Sequence, residues 1–242
     1  MINIVIPMAG MGSRFAEAGY KKPKPFINVN GKPMIERVME NLNYPDAKFI
    51  LIARKEHVEA EKEMVANLKR SFNCEIIEID KLTEGTACTV LYAHRLINNN
   101  TPLLIANSDQ IIDSPVKDFI DNCFNNQLDG SILCFEDSEM NPKWSFAKIN
   151  EEGIVTEVKE KVAISKYATV GIYLFAQGNI FVNSALDMII ENDRVNNEFY
   201  TCPVYNYAIK DGKIIGIYNI QESEMNGIGT PGDLEIYLNK IV

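Results

Sequence analysis

The residues best suited to chemistry lie at the start of the chain, in a glycine loop followed by fixed positive charges. The apolar residues 4–6 predict a buried strand, and Gly10 and Gly12 follow it closely. Glycine lets a backbone approach a ligand and turn its N–H groups toward an anion. Arg14 comes next, and Lys24 stands between two prolines. A strand, a glycine loop and cations in this order predict a triphosphate site.

Two better-known glycine loops are excluded by the spacing. The dinucleotide loop needs a third glycine where this chain has Phe15, and an acidic strand end about 20 residues on, which is missing. The sequence Gly-x-x-x-x-Gly-Lys-Ser/Thr of the P-loop does not occur in the chain. The remaining alternative is a plain strand and turn, in which the glycines serve the turn alone.

A candidate metal ligand lies near the middle of the chain. Asn107, Ser108 and Asp109 come where the apolar segment 102–107 ends. A carboxylate at the carboxyl end of a central strand suits Mg²⁺ held over a nucleotide phosphate. The alternative is that these residues only end the strand and cap a helix near Pro115.

Two further segments allow both structural and functional interpretations. Residues 83–87 precede a helix, so Thr86 is a candidate N-cap; Gly85 is equally suited to pack against a flat base. Lys148 and Lys161 lie in strand-like segments of the second half. Such lysines are usually solvated, but a phosphate on a second substrate would need at least one of them.

Bulk properties limit the function classes. The chain has 242 residues, 46% of them hydrophobic, and a net charge of −9, which argues against general binding to nucleic acid or anionic membranes. It has no apolar run of membrane-spanning length and no secretory-type start, so we expect a cytoplasmic protein. Five scattered cysteines without a Cys-x-x-Cys pair indicate neither a disulfide framework nor a zinc site.

The elements that must position these residues form one predicted α/β domain, 1–242. Strands and helices alternate through the nucleotide-binding half, 1–130, which predicts parallel pairing with ligands at the carboxyl ends of the strands. Single helices are predicted over 56–70 and 86–97. The half 131–242 is richer in strands, predicted to be more antiparallel, and suits a pocket for the acceptor.

Taken together, these segments resemble the nucleoside-diphosphate-sugar pyrophosphorylase type of nucleotidyltransferase. The family's loop is matched by Ala9-Gly10-Met11-Gly12-Ser13-Arg14 with Pro23-Lys24, and its Gly-Thr-Ala segment by Gly85-Thr86-Ala87. Its metal aspartate is matched by Asp109, its Glu-Lys pair by Glu160-Lys161, and its Gly-Thr-Pro entry to the last helix by Gly229-Thr230-Pro231. The matches occur in the family's order and cover nearly the whole chain.

The resemblance implies a GT-A-like, Rossmann-like mixed sheet, mostly parallel and flanked by helices. It implies transfer of a nucleoside monophosphate from a triphosphate to a phosphorylated acceptor, with Mg²⁺ as cofactor. Arg14 would hold the departing pyrophosphate, Lys24 the α-phosphate and Asp109 the metal. The nucleotide-binding residues implied are Met8, Ala9, Gly10, Met11, Gly12, Ser13, Glu84, Gly85, Thr86, Ala87, Asn107 and Ser108, and the acceptor-binding ones are Lys148, Glu160, Lys161 and Gly171.

One departure concerns the second metal ligand. Many sugar-specific members have an aspartate just before the Gly-Thr-Pro turn, where this chain has Asn226-Gly227. Asn226 is therefore the expected second ligand, with water as the alternative. Short chains of this kind resemble bacterial cytidylyltransferases of surface-polysaccharide pathways. This resemblance implies CTP as the nucleotide and L-glutamine phosphate as one candidate acceptor. A sugar-1-phosphate thymidylyl- or uridylyltransferase and a non-catalytic nucleotide-binding module are the alternatives, and a homo-oligomer is compatible with each.

Overall fold

The first half of the chain is an alternating α/β unit. The structure, a computed structural model, describes residues 1–241. The strands of this half are β1 (Ile2–Pro7), β2 (Asn28–Val29), β3 (Lys32–Pro33), β4 (Ala47–Arg54), β5 (Cys74–Ile79), β6 (Leu103–Ala106) and β7 (Gln110–Ile112). Its helices are α1 (Ser13–Glu17), α2 (Met34–Asn41), α3 (Lys55–Ala60), α4 (Lys62–Ser71), α5 (Thr86–Leu91), α6 (His94–Ile97) and α7 (Val116–Asn125).

The second half is richer in antiparallel strands. Its strands are β8 (Gly130–Glu136), β9 (Ser145–Ile149), β10 (Val155–Glu160), β11 (Tyr167–Phe175), β12 (Ile215–Ile220) and β13 (Met225–Gly227). Its helices are α8 (Gly178–Ile190), α9 (Val204–Lys210) and α10 (Pro231–Lys240). None of the helices within residues 1–241 has the length and apolar character needed to cross a membrane.

One mixed sheet joins the two halves. In the first half β6, β1, β4 and β5 pair in parallel in that order, so the ends of β1, β4 and β6 meet at one edge. Antiparallel pairing of β11 with β6 joins the second half to this sheet, and β11 also pairs with β8 and β9. The predicted fold class, a mixed sheet flanked by helices with a more antiparallel second half, is confirmed.

Apolar residues on both faces of the sheet bury two cores. Ile2, Ile4 and Ile6 of β1 face one core, and Val5 faces the other, as the alternation of a strand requires. The first core is closed mainly by α2, α4 and α7, and the second mainly by α5, α8 and α9. Because both faces are covered, the central strands read as continuous apolar runs in the sequence.

The sheet forks at Gly171 in the middle of β11. On one side of β11, Ala168 pairs with Phe146 of β9, whereas residues from Ile172 onward pair with β6. The pairing register with β8, on the other side, shifts between Thr169 and Tyr173. Gly171 has a φ of +87°, which glycine adopts without strain. The fork leaves a gap between the end of β6 and the start of β9, where a pocket forms.

Two predicted helices are each broken in the structure. The segment 56–70 forms α3 and α4, because Glu61 leaves the helical region with φ −121° and ψ 38°. The break lets Val58 of α3 and Leu68 of α4 reach the same core. The segment 86–97 forms α5 and α6. No glycine or proline marks either break, so the sequence pattern alone did not reveal them.

Candidate active site

A cleft of about 450 Å³ lies at the carboxyl edge of the parallel strands. We call it the main cleft. The loops that follow β1 and β6 form two of its walls, and the segment before α5 forms a third. Its lining residues are Pro7, Met8, Ala9, Gly10, Met11, Gly12, Lys24, Pro25, Leu82, Thr83, Gly85, Thr86, Thr89, Asn107, Ser108, Asp109 and Glu198.

The glycine loop presents its backbone to the main cleft. The N–H groups of Gly10, Met11 and Gly12 donate no hydrogen bond to another described residue. Gly12 has a φ of +62°, and a Cβ on it would lie 3.0 Å from Cβ of Lys24. Glycine at this position therefore lets the loop close tightly over Lys24. Free N–H groups next to a lysine suit a phosphate chain.

Lys24 and Asp109 form an ion pair on the wall of the main cleft. Both side chains are largely buried, at 21% and 24% exposed. Gly229 lies against the pair: a Cβ on it would be 2.5 Å from Oδ2 of Asp109 and 3.6 Å from Nζ of Lys24. The N–H of Ile228 donates to the backbone oxygen of Asp109 at 2.9 Å, which holds this segment in place.

A side pocket of about 230 Å³ continues from the main cleft past Lys24. It is lined by Gly12, Ser13, Arg14, Phe15, Lys24 and Gly229. Arg14 is exposed there and forms no salt bridge with a carboxylate of residues 1–241. The side pocket therefore contains a guanidinium group that is available to an anion. Lys24, which lines both the side pocket and the main cleft, lies beside it.

The third wall of the main cleft is formed where the segment around Gly85 packs against the segment around Phe199, and we call this contact the clasp. Gly85, with φ +126°, lies so close to Phe199 that a Cβ would be 2.5 Å from the Phe199 nitrogen. The Phe199 N–H donates to Glu84 O at 2.7 Å, and Ala87 N–H donates to Phe199 O at 3.0 Å. Arg194 stacks on the Phe199 ring at 4.1 Å and pairs with the Glu84 carboxylate at 2.6 Å.

A second pocket, of about 260 Å³, occupies the gap at the Gly171 fork, and we call it the fork pocket. It meets the main cleft at Thr86 and Asn107, which line both. Its other lining residues are Gln110, Lys143, Trp144, Ser145, Glu160, Thr169, Val170, Gly171, Tyr173, Tyr200, Thr201 and Cys202.

The Glu160-Lys161 pair lies at the end of β10 beside this pocket. Glu160 is only 9% exposed, and Ser145 donates a hydrogen bond to its carboxylate. Burial raises the pKa of the Glu160 carboxyl above its ordinary value, although the Ser145 hydrogen bond and the Lys161 charge oppose the rise. Lys161 Nζ lies 2.8 Å from the Tyr200 hydroxyl and 4.6 Å from that ring's centre. Lys161 does not itself line the fork pocket, but Tyr200, which does, holds the Lys161 ammonium beside it.

Gln110 brings an unpartnered amide to the fork pocket. The side chain is 6% exposed, and its Nε2 donates to no described residue. A buried N–H without an acceptor is costly, so such groups in native proteins call for an explanation. Gln110 follows Asp109 directly, and its position in β7 carries it into the pocket wall.

Several expected site residues lie elsewhere. Lys148 does not line the fork pocket, because it is three residues beyond Ser145 in β9 and so extends from the opposite face of the strand. The Glu84 side chain is 66% exposed and pairs with Arg194, and Ala87 is buried in the core, so only their backbones support the cleft. The sequence patterns missed Leu82, Thr89, Glu198, Gln110, Lys143 and Tyr200, which meet the site only through tertiary contacts.

The expected second metal ligand, Asn226, is engaged by other side chains of the protein. Asn226 Nδ2 donates to Asp113 at 2.9 Å, and its Oδ1 accepts from Lys240 at 2.8 Å. Its amide oxygen is therefore engaged by an ammonium group, and Asn226 lines neither of the two pockets nor the main cleft. Pairing of β13 with β7 sets this orientation.

The remaining residues fit a magnesium ion bound in the usual nucleotide-enzyme manner. Mg²⁺ is commonly held by one or two carboxylates together with substrate phosphates and water. Asp109 supplies one such carboxylate, and Gly229 keeps the space beside its Oδ2 free of a side chain. Within residues 1–241 there is no cluster of three or more His, Cys, Asp or Glu side chains suited to a metal. A metal held by Asp109 would take its other ligands from substrate phosphates and water.

Solved structures of known proteins have the same fold as this chain. The nucleoside-diphosphate-sugar pyrophosphorylase of Vibrio cholerae RC9 superposes with a TM-score of 0.82 at 26% identity, over 98% of this chain and 99% of that one. The inositol-1-phosphate CTP transferase of T. maritima shares the fold, with a TM-score of 0.75 at 15% identity over 100% and 96% of the two chains.

A curated relative and a family model extend the comparison. The bifunctional protein GlmU of Methanococcus aeolicus is 26% identical over 236 residues, which cover 96% of this chain and 53% of the relative. The chain thus spans about half the length of the curated relatives that it matches. The model of the nucleotidyl transferase family matches residues 4–213. That match covers most of the chain, which therefore belongs to the nucleotidyl transferase family.

Proposed function

We propose that this protein transfers a nucleoside monophosphate from a nucleoside triphosphate to a small phosphorylated acceptor and releases pyrophosphate. The observation that carries the proposal is the junction of the main cleft and the fork pocket at Thr86 and Asn107, with Lys24 and Asp109 on the adjoining wall. Two substrates bound side by side in these spaces would meet at that junction.

The proposed reaction requires positioning and charge neutralisation more than covalent catalysis. A phosphate oxygen of the acceptor attacks the α-phosphorus, and the bond from that phosphorus to the β-phosphate oxygen breaks. Lys24 binds the α-phosphate, and Arg14 in the side pocket binds the departing pyrophosphate. Lys161, held by Tyr200, binds the acceptor phosphate. Magnesium held by Asp109 would neutralise phosphate charge.

Substrate binding must change the partners of the Lys24–Asp109 pair. In the structure these two side chains neutralise each other. A triphosphate supplies the anion that Lys24 needs, and Asp109 then becomes available to a metal. The pair therefore keeps both groups ordered without burying an unpaired charge, which would be costly.

Among nucleotides and acceptors we favour CTP and L-glutamine phosphate, in the cytoplasmic synthesis of a capsule or other surface polysaccharide. This finer assignment is supported by the sequence resemblance described above. A sugar-1-phosphate thymidylyl- or uridylyltransferase is the second candidate. Its support is the similarity to the Vibrio cholerae pyrophosphorylase, which spans nearly both whole chains.

The test is pyrophosphate release with Mg²⁺, each of the four ribonucleoside triphosphates and dTTP, against a panel of phosphorylated acceptors. The panel contains L-glutamine phosphate and several sugar 1-phosphates. Turnover confined to CTP with L-glutamine phosphate supports the favoured assignment, and turnover confined to sugar 1-phosphates replaces it with the second candidate. Nucleotide binding without turnover across the panel would instead indicate a non-catalytic module.

Variants of the ion pair test the proposed roles. We expect Lys24→Met and Asp109→Asn each to lower kcat/KM by about 100-fold or more, because each removes a preorganised charge from the reacting phosphates. Lys22→Met is the matched control, since Lys22 pairs with Glu61 at the surface, and it should stay within about twofold of the wild type. Wild-type turnover in both site variants would contradict the proposal.

A further inference from the structure

The side chain of Asn107 occupies the junction where the two proposed substrates meet. It lines both the main cleft and the fork pocket, and it is exposed there. Its backbone N–H donates to Gly171 O at 3.1 Å, which fixes the start of the side chain at the fork. The carboxamide makes no hydrogen bond with a side chain or backbone group of residues 1–241. Two N–H donors and an oxygen are therefore available at this point.

The other shared residue, Thr86, is already engaged. Its hydroxyl oxygen accepts hydrogen bonds from the Thr201 N–H at 3.1 Å and from the Thr201 hydroxyl at 3.0 Å. These bonds tie Thr86 to the wall of the fork pocket. Of the two side chains at the junction, Asn107 is the one that makes no hydrogen bond to a side chain or backbone group of residues 1–241, and it carries two N–H donors.

The strand opposite Asn107 makes room for the carboxamide. A Cβ on Gly171 would overlap the amide nitrogen of Asn107 and would lie 2.9 Å from its Cγ. Gly171 also has the left-handed φ of +87° at which the β11 register shifts. The missing side chain at Gly171 therefore leaves space for the Asn107 amide, and a side chain on residue 171 would displace that amide.

We propose that Asn107 is a catalytic residue that donates hydrogen bonds to the phosphate oxygens at the transfer point, and that Gly171 serves to seat it there. This inference rests on the proposed function. As the acceptor oxygen bonds to the α-phosphorus and the bond to the pyrophosphate oxygen breaks, charge redistributes over the non-bridging oxygens. A neutral donor that already lies against Gly171 at the transfer point stabilises that charge with little reorganisation.

The experiment is a double-mutant cycle with Asn107→Ala, Gly171→Ala and the double variant, measured by steady-state pyrophosphate release. We expect Asn107→Ala to lower kcat by about 10- to 100-fold, with both KM values changed less than about threefold. Gly171→Ala should lower kcat similarly by displacing the amide. The double variant should be no slower than Asn107→Ala, because the added methyl then occupies the space the amide has left.

A matched glycine separates this effect from backbone strain. Gly153 also has a left-handed φ, +80°, but a Cβ on it would meet no atom within 4 Å. Gly153→Ala should therefore lower the melting temperature as Gly171→Ala does, while leaving kcat within about twofold. Thermal melts of every variant show whether it is folded.

Three results would overturn the inference, and none of them is the failure of the proposed function. Wild-type kcat in Asn107→Ala would remove Asn107 from catalysis. A double variant slowed by the product of the single effects would mean that Gly171 acts independently of Asn107. Raised KM values with unchanged kcat would make Asn107 a binding residue only. If the wild type itself turns over no substrate pair, the proposed function has failed instead.

Discussion

At the residue scale, two buried polar side chains line the pocket where the acceptor is proposed to bind. Gln110 has a buried Nε2 without a protein partner, and Glu160 is buried with Ser145 as its hydrogen-bond donor. Groups of this kind reduce the stability of the free protein, because burial removes water that is not fully replaced. Replacing such a side chain by an apolar or neutral one should therefore stabilise the free protein and weaken acceptor binding.

Replacement of Gln110 by methionine tests this expectation. Methionine has a similar length and no polar hydrogen to leave unpaired, so we expect the free energy of unfolding of Gln110→Met to stay the same or rise by about 1 kcal/mol. The KM for the acceptor should rise several-fold, with the KM for the nucleotide nearly unchanged. Urea denaturation and steady-state kinetics measure the two effects. A loss of stability with unchanged acceptor KM would show a purely structural role.

Glu160 predicts a pH dependence of stability. Its pKa is higher in the folded protein than the ordinary value of 4.5, so the folded state holds the proton more tightly than the unfolded state. The stability that this proton contributes is present below pH 4.5 and is lost as the pH rises through the folded-state pKa. Glu160→Gln removes this titration and keeps an oxygen for Ser145.

The measurement is urea unfolding of both proteins at about pH 5 and about pH 8. We expect Glu160→Gln to gain stability relative to the wild type as the pH rises between these values. A difference in stability that is constant with pH would show that Glu160 keeps its ordinary pKa in the folded protein.

At the element scale, segments that are distant in the sequence pack closely against each other at glycine residues. The segment around Phe199 closes on Gly85, and the segment before α10 closes on Asp109 at Gly229. The Phe199 segment also connects the two pockets, since Glu198 lines the main cleft and Tyr200 lines the fork pocket. We therefore expect that a change which disorders the Phe199 segment would weaken binding in both pockets.

Gly85→Ala should damage this clasp severely. The φ of +126° and ψ of 172° belong to a region open essentially to glycine, and the added methyl would collide with the Phe199 backbone. We expect a loss of about 3 kcal/mol or more in unfolding free energy, with weakened nucleotide binding. The control Gly153→Ala adds a methyl in open space and should cost about 1–2 kcal/mol through strain alone. Equal losses in the two variants would mean that the clasp is loose.

At the scale of the whole molecule, the two halves share one sheet and both cores. The antiparallel pairing of β11 with β6 runs from Leu103 to Ala106, and each hydrophobic core contains residues from both halves. Neither half could keep its apolar faces buried without the other. We therefore propose that residues 1–242 form a single domain.

The single-domain proposal predicts one cooperative unfolding transition. Trp144 is the only tryptophan, and it packs edge-on against Phe135 in the second half, with 5.4 Å between ring centres. Its fluorescence therefore reports on that half, whereas far-UV circular dichroism reports on all the helices. We expect the two urea transitions to coincide within error. A separate, earlier fluorescence transition would divide the chain into two folding units.

The sequence by itself determined the elements of the nucleotide side. Residues 4–6, Gly10, Gly12, Arg14, Lys24 and Asp109 lie where their spacing predicts, because a buried parallel strand and the loop after it have local signatures in composition. The alternation of strands and helices likewise predicted the parallel pairing that the structure has among β1, β4, β5 and β6. Their chemical roles remain predictions.

Only the tertiary structure decided how the second pocket is built. The β11 fork brings Asn107 to Gly171, and the Phe199 segment brings Tyr200 to Lys161, although 64 and 39 residues separate these pairs along the chain. Lys148 and Asn226 lie outside the pockets because strand alternation and the Lys240 contact orient them elsewhere. Contacts made by long-range pairing leave no periodic pattern in the sequence, since each partner depends on a segment that is distant in the chain.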